Sequence, residues 1–263
     1  MRQRREGSCG WACGDGFSYG RLEQENAQDA AGDKTWVKIC GIRRVADLVV
    51  AAEEGADAVG LVFDRSSPRA VAIEEARQLV SIAGHDILCV GVFRNEPATS
   101  VAVVIDEVGL DAIQYYGDVA EFVAIKRSFP ELRLATFAVP VRSDRANRLF
   151  RDVLARFEGE EERPDVLLFD SSKPGSGRPW RWSALADYFG PIPFVLAGGL
   201  NPDNVIDAIS TVHPWGVDVS SSLEVRPGVK DPALVRKFVA AVRLATKIRE
   251  TVDVKTKRLY ERS

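Results

Sequence analysis

The sequence predicts an α/β protein, a single-domain (β/α)8 TIM barrel behind a disordered N-terminal extension. Three observations carry this. From Thr35 to about Arg243, short apolar runs alternate with amphipathic runs eight times over. The short runs are apolar and β-branched, as strands covered by helices must be. Eight such units in about 210 residues suit closure into a barrel. A doubly wound open sheet is the alternative, which a count of eight disfavours.

The units follow in order. TWVKIC (Thr35–Cys40) reads as the first strand, ending at the Cys40-Gly41 turn, with a helix over Val45–Glu54. Two-residue alternation puts Thr35, Val37 and Ile39 on one side of that strand and Trp36, Lys38 and Cys40 on the other. AVGLVF, ILCVGVF and AIQYYG are the next strands, paired with AIEEARQLVSIAG, ATSVAVVIDEVG and VAEFVAIKRSF as helices. RLATFAV with RANRLFRDVLARF and DVLLFD with WSALADYF make units five and six. FVLAGG with DNVIDAIS and GVDVS with DPALVRKFVAAVR complete the series. The helical runs carry apolar residues at spacings of three and four, one stripe each.

Domain bounds follow from the same pattern. Residues 1–33 are polar and aperiodic and are expected to be a disordered extension. Residues 34–245 form the barrel, and 246–263 a charged C-terminal tail or helix extension.

Composition narrows function by exclusion. A net charge of −3 gives no reason to expect a nucleic-acid or anionic-membrane partner. No apolar run reaches the roughly 20 residues that span a bilayer, and no apolar segment follows the basic N-terminus as in a secretory signal. Four scattered cysteines argue for a reducing, cytoplasmic setting rather than a disulfide framework. Cys9 and Cys13 lack a second ligand pair, so no metal is expected.

In such barrels chemistry sits where strands end and the following loops begin. The strand-end residues are Cys40, Asp64 with Arg65 and Arg69, Arg94, Gln114 with Tyr115 and Tyr116, Asp170 with Lys173, Gly198 with Gly199, and Asp218 with Ser220–Ser222. The two histidines, His85 and His213, fall in loops at the opposite face, so proton transfer is left to Cys40, Asp170, Asp218, a tyrosine or Lys38. Two loops look built for an anion. AGGLNPDNV ends a strand in Gly198-Gly199 and is expected to open a helix near Pro202-Asp203, and VDVSSS ends its neighbour in three hydroxyls. Backbone N–H groups at glycines and a helix N-terminus suit phosphate.

Taken together, the motifs KICGI, GLVF followed by SSPR, VGVF, LLFDSS, AGGLNPDNV and GVDVSSSLEVRPGVKD resemble, in this order, those of phosphoribosylanthranilate isomerases of tryptophan synthesis. The resemblance spans residues 36 to about 243. It implies a cofactor-free Amadori rearrangement of a phosphorylated aminoaldose, with Cys40 as general base and Asp170 as general acid. It implies Arg69 for the anthranilate carboxylate, and Gly198, Gly199, Asn201, Ser220 and Ser221 for the phosphate. Lys38, Gln114, Tyr116 and Asp218 are the remaining candidates for substrate contact. Lys38 shares a strand face with Cys40 and is expected to stabilise its thiolate. If the sheet closes, Lys38 and Asp218 face each other across strands one and eight. The partner is a small phosphorylated molecule, and oligomeric state is not readable from sequence.

Three departures stand out. Tyr115-Tyr116 replaces a Leu-His pair, the sixth loop reads Pro174–Trp182 in place of a GGTG and Phe-Asp-Trp pattern, and Ser222 replaces a glycine. Alternation allows only one of the two tyrosines into the barrel mouth, where it is expected to meet an aryl group. Other readings are a paralogue with a different phosphorylated substrate, indole-glycerol-phosphate synthase chemistry, and a non-catalytic barrel used for binding.

Overall fold

A computed structural model describes residues 34–141, 146–171, 180–186, 188 and 190–260. Its eight parallel strands are β1 (Trp36–Cys40), β2 (Ala58–Val62), β3 (Leu88–Arg94), β4 (Ala112–Tyr116), β5 (Leu134–Val141), β6 (Val166–Ser171), β7 (Phe194–Leu196) and β8 (Gly216–Val219). They pair in sequence order and close, β1 against β8. The helices are α1 (Val45–Glu53), α2 (Ile73–Ala83), α3 (Ala98–Val108), α4 (Val119–Ser128), α5 (Ala146–Arg156), α6 (Val205–Val212) and α7 (Pro232–Tyr260). The predicted extension, residues 1–33, and Lys173 lie outside the described residues.

Two-residue alternation divides the core into two shells. Val37, Ile39, Val59, Leu61, Ile113 and Phe169 pack outward against the helices. Trp36, Cys40, Val62, Val90, Tyr116 and Leu168 fill the barrel interior. Local chemistry starts the helices. Glu75 accepts from the Ala72 N–H at 3.0 Å ahead of α2, and Asp118 caps α4 by accepting from Ala120 N–H at 2.8 Å.

The last helix clasps the first βα unit of the barrel. Arg243 of α7 donates to the Thr35 and Gly55 carbonyls, both at 2.6 Å. The Thr246 and Thr35 hydroxyls are 3.1 Å apart.

Two expectations need correction. Among its described residues, WSALADYF forms a 3₁₀ turn, Trp182–Leu185, in place of a sixth-unit helix. Its Trp182 indole, like that of Trp180 just before it, is drawn to the β7 loop instead. The helix after the double glycine begins at Val205, because Asn201–Asn204 form a turn first. There Asn201 Oδ1 accepts from the Asp203 and Asn204 N–H groups at 2.9 and 3.1 Å. The last helix runs as one element from Pro232 through Tyr260. A short hairpin, β9 (Glu224–Arg226) with β10 (Val229–Lys230), also interrupts the β8–α7 connection.

Candidate active site

A cavity of about 400 Å³ opens at the C-terminal ends of the strands, within the range of small-molecule sites. Cys40, Arg69, Gln114, Tyr116, Asp170 and Asp218 all line it. So do Gly198, Gly199 and the Ser220–Ser222 run. Closure therefore gathers residues from seven strands or their loops into one mouth.

Cys40 reaches that mouth because β2 makes room. A methyl group at Gly60 would sit 2.6 Å from its sulfur, closer than atoms can approach. Beneath Cys40 the predicted pair has formed. Lys38 and Asp218 are register partners, and Lys38 Nζ lies 2.7 Å from Asp218 Oδ2. Lys38 is 1% exposed and does not line the cavity. Its assignment to substrate contact is thus corrected: it is a buried support for Asp218, the residue that does face the cavity. The other Asp218 oxygen, Oδ1, is buried without a hydrogen-bond partner among the described residues.

Burial works against a charged lysine, yet Asp218 and Cys40 outweigh it and hold Lys38 above its ordinary value. The thiol behaves otherwise than expected. Burial pushes Cys40 up, and the pull of Lys38 and Lys230 does not reverse it. Lys38 moderates the cost of the thiolate without making it the resting form.

On the facing side, Asp170 is 6% exposed. Its Oδ1 accepts from Ser171 N–H at 2.6 Å, and its Oδ2 accepts from the Tyr116 hydroxyl at 3.0 Å. Burial, then Asp218, raise its carboxyl to about 6 against those donors. Alternation sorts the two tyrosines as anticipated. Tyr116 faces in, while Tyr115 faces out and donates to the Glu96 carbonyl at 2.8 Å.

Arg69 lines the cavity but is already engaged. Its Nε and NH2 grip Glu224 at 2.9 and 2.7 Å. Lys230 Nζ reaches the same carboxylate at 2.9 Å and the Ser220 carbonyl at 3.1 Å. Burial would raise Glu224, but its two cations hold it below its ordinary value. Glu224 and Lys230 were not singled out from sequence. They lie 155 and 161 positions beyond Arg69, and only the β9–β10 hairpin brings them to it.

The anion loops stand side by side. Gly198 and Gly199 take positive φ values of 87° and 75°, which suit residues without a side chain. Trp180 Nε1 donates to the Ala197 carbonyl at 2.9 Å and Trp182 Nε1 to the Gly198 carbonyl at 3.3 Å. The Ser222 hydroxyl, which replaces a glycine, donates to the Leu200 carbonyl and ties the two loops together. Asn201 does not line the cavity, because its side chain is used within its own turn.

Comparison with known proteins decides the family. The family model for N-(5'-phosphoribosyl)anthranilate (PRA) isomerase matches residues 37–241. The chain belongs to the phosphoribosylanthranilate isomerase family. A member from Xanthomonas euvesicatoria pv. vesicatoria is 41% identical over 219 residues, covering 81% of this chain and 95% of that one. The solved Thermotoga maritima phosphoribosylanthranilate isomerase is 35% identical with a TM-score of 0.68, over 79% of this chain and 98% of its own. A further isomerase structure, in complex with reduced 1-(o-carboxyphenylamino)-1-deoxyribulose 5-phosphate, is 34% identical with a TM-score of 0.66 over the same shares. In this isomerase-family chain, no described helix is long and apolar enough to cross a membrane.

Proposed function

We propose that the chain isomerises N-(5'-phosphoribosyl)anthranilate to 1-(o-carboxyphenylamino)-1-deoxyribulose 5-phosphate by general acid–base catalysis. The observation that carries this reading is the placement of Cys40 and Asp170 in one cavity that also holds two anion-suited loops. Asp170 protonates the ribofuranose ring oxygen, and the ring opens to a protonated Schiff base. The Cys40 thiolate removes the proton on C2', giving an enolamine that tautomerises to the aminoketose. The unpartnered Oδ1 of Asp218 accepts from a sugar hydroxyl. Arg69, shared with Glu224, offers its remaining N–H groups to the anthranilate carboxylate. Formation of the aminoketose by the purified full-length chain is the test, with rescue of an isomerase-deficient tryptophan auxotroph as its counterpart in cells. Turnover no faster than buffer would overturn the reading.

The phosphate falls to the Gly198-Gly199 and Ser220-Ser221 loops. Inorganic phosphate should compete with substrate. Gly199→Asp should remove that competition, because it sets a negative side chain at a left-handed backbone position lining the cavity. Phosphate inhibiting the variant as well as the parent would place the site elsewhere.

The rate should depend on pH in a characteristic way. Asp170 loses its proton near pH 6, before Cys40, which burial holds above its ordinary value. The reacting form needs the opposite: Asp170 protonated and Cys40 ionised. That form is a minority throughout, and its share is constant between the two values. The kcat/KM should rise through about pH 6, run flat, then fall as Cys40 ionises and no proton remains on Asp170. A profile with no acid limb near pH 6 would count against this assignment.

A further inference from the structure

Tyr116 stands where the family motif has a histidine, and its hydroxyl is committed to Asp170. Gln114 Nε2 lies 3.1 Å from that hydroxyl oxygen. An amide nitrogen offers only hydrogens, so Gln114 donates and the phenol oxygen accepts. The phenol has one proton left to give, and it goes to Asp170 Oδ2 at 3.0 Å. The whole relay is buried, with Gln114 2% and Tyr116 9% exposed. On the cavity side Arg94 lies over the Tyr116 ring, 5.5 Å from its centroid, and limits how that ring can tilt.

We propose that Tyr116 is a positioning residue for the acid: its phenol, locked as a donor by Gln114, fixes one oxygen of Asp170 and favours the carboxylate left after proton transfer. This rests on Asp170 being the general acid of the proposed reaction. Two donors already fill positions on the carboxylate, Ser171 N–H on Oδ1 and Tyr116 on Oδ2. The proton to be transferred is therefore confined to the lone pairs they leave open. The other charged groups that act on Asp170 are Lys38 from β1 and Asp218 from β8, and Cys40 of β1 acts on the phenol. The flanking strands bring Pro140 from β5 and, after β7, Gly198, neither of which titrates. Burial and then Asp170 raise the phenol well above its ordinary value, so Tyr116 stays a neutral donor wherever the enzyme works. A histidine in the same place would change charge near neutrality.

The test is a carbon-13 carboxyl titration of the full-length chain labelled at aspartate, with the Asp170 signal assigned by its loss in Asp170→Asn. In Tyr116→Phe the Asp170 midpoint should move up by about one pH unit, the scale of a hydrogen bond to a charged group. In Gln114→Met the shift should be smaller and in the same direction, because the phenol becomes a weaker donor. That variant carries the test if Tyr116→Phe does not fold. The acid limb of kcat/KM should move up with the carboxyl signal, while KM on the plateau stays within about twofold. An Asp170 midpoint unchanged in both variants overturns the proposal. A parent that titrates as described but does not turn over phosphoribosylanthranilate overturns the isomerase reading alone.

Discussion

Cys40→Ser and Asp170→Asn should each lower kcat by roughly 10²–10⁴, with much smaller changes in KM. Serine keeps the size of the side chain but ionises far less readily than a thiol, so the base is lost while the cavity keeps its shape. Asparagine keeps the outline of Asp170 and has no carboxyl proton to give. Neither change should unfold the protein, since each conserves volume at a site lining a cavity. The two losses should not add when combined. A rearrangement stalled at ring opening gains nothing from an intact base, and the reverse holds too. Steady-state kinetics of the three variants would decide it. A Cys40→Ser enzyme as fast as the parent would remove Cys40 from the mechanism.

Lys38→Met should destabilise the fold by about 3–5 kcal/mol, the scale for removing one partner of a buried ion pair. The reason is the charge left behind. Asp218 is 7% exposed and its Oδ2 would lose the ammonium now 2.7 Å away. Methionine matches the lysine stem in volume, so packing alone predicts a small effect. The contrasting variant is Lys38→Met combined with Asp218→Leu, which removes both charges and should recover most of the lost stability. Urea denaturation of the parent, single and double variants measures this. Equal losses in the single and double variants would show that packing, not charge, governs the site.

Much of this was legible in the sequence because it depends on short-range pattern. Two-residue alternation told Lys38 and Cys40 from Val37 and Ile39, and allowed only one of Tyr115 and Tyr116 into the barrel mouth. Closure of an eight-strand count then put Lys38 opposite Asp218 with no knowledge of distances. What escaped depends on burial or on contacts between distant segments. The charge state of Cys40 turns on desolvation, which outweighs the neighbouring lysine and has no signature in a linear motif. Arg69 reads as a free cation until the β9–β10 hairpin supplies Glu224. The sixth helix failed for a similar reason. Trp182 opens the run read as a helix, but its indole N–H and that of Trp180 before it are spent on the carbonyls of Gly198 and Ala197.

The pairing of Lys38 with Asp218 also bears on how the chain is made. The two residues are 180 positions apart, so at 5–20 residues per second a ribosome needs about 10–40 s to deliver the second after the first. Through that interval β1 has a bare edge where β8 will later dock. A bare apolar edge invites pairing with other nascent chains, and an inward-pointing charge is one of the few devices that discourages it. Lys38 supplies that charge on an otherwise apolar strand, and only the arrival of Asp218 neutralises it. The same lysine that steadies the finished site is thus expected to discourage mispairing at the open seam of the barrel during synthesis.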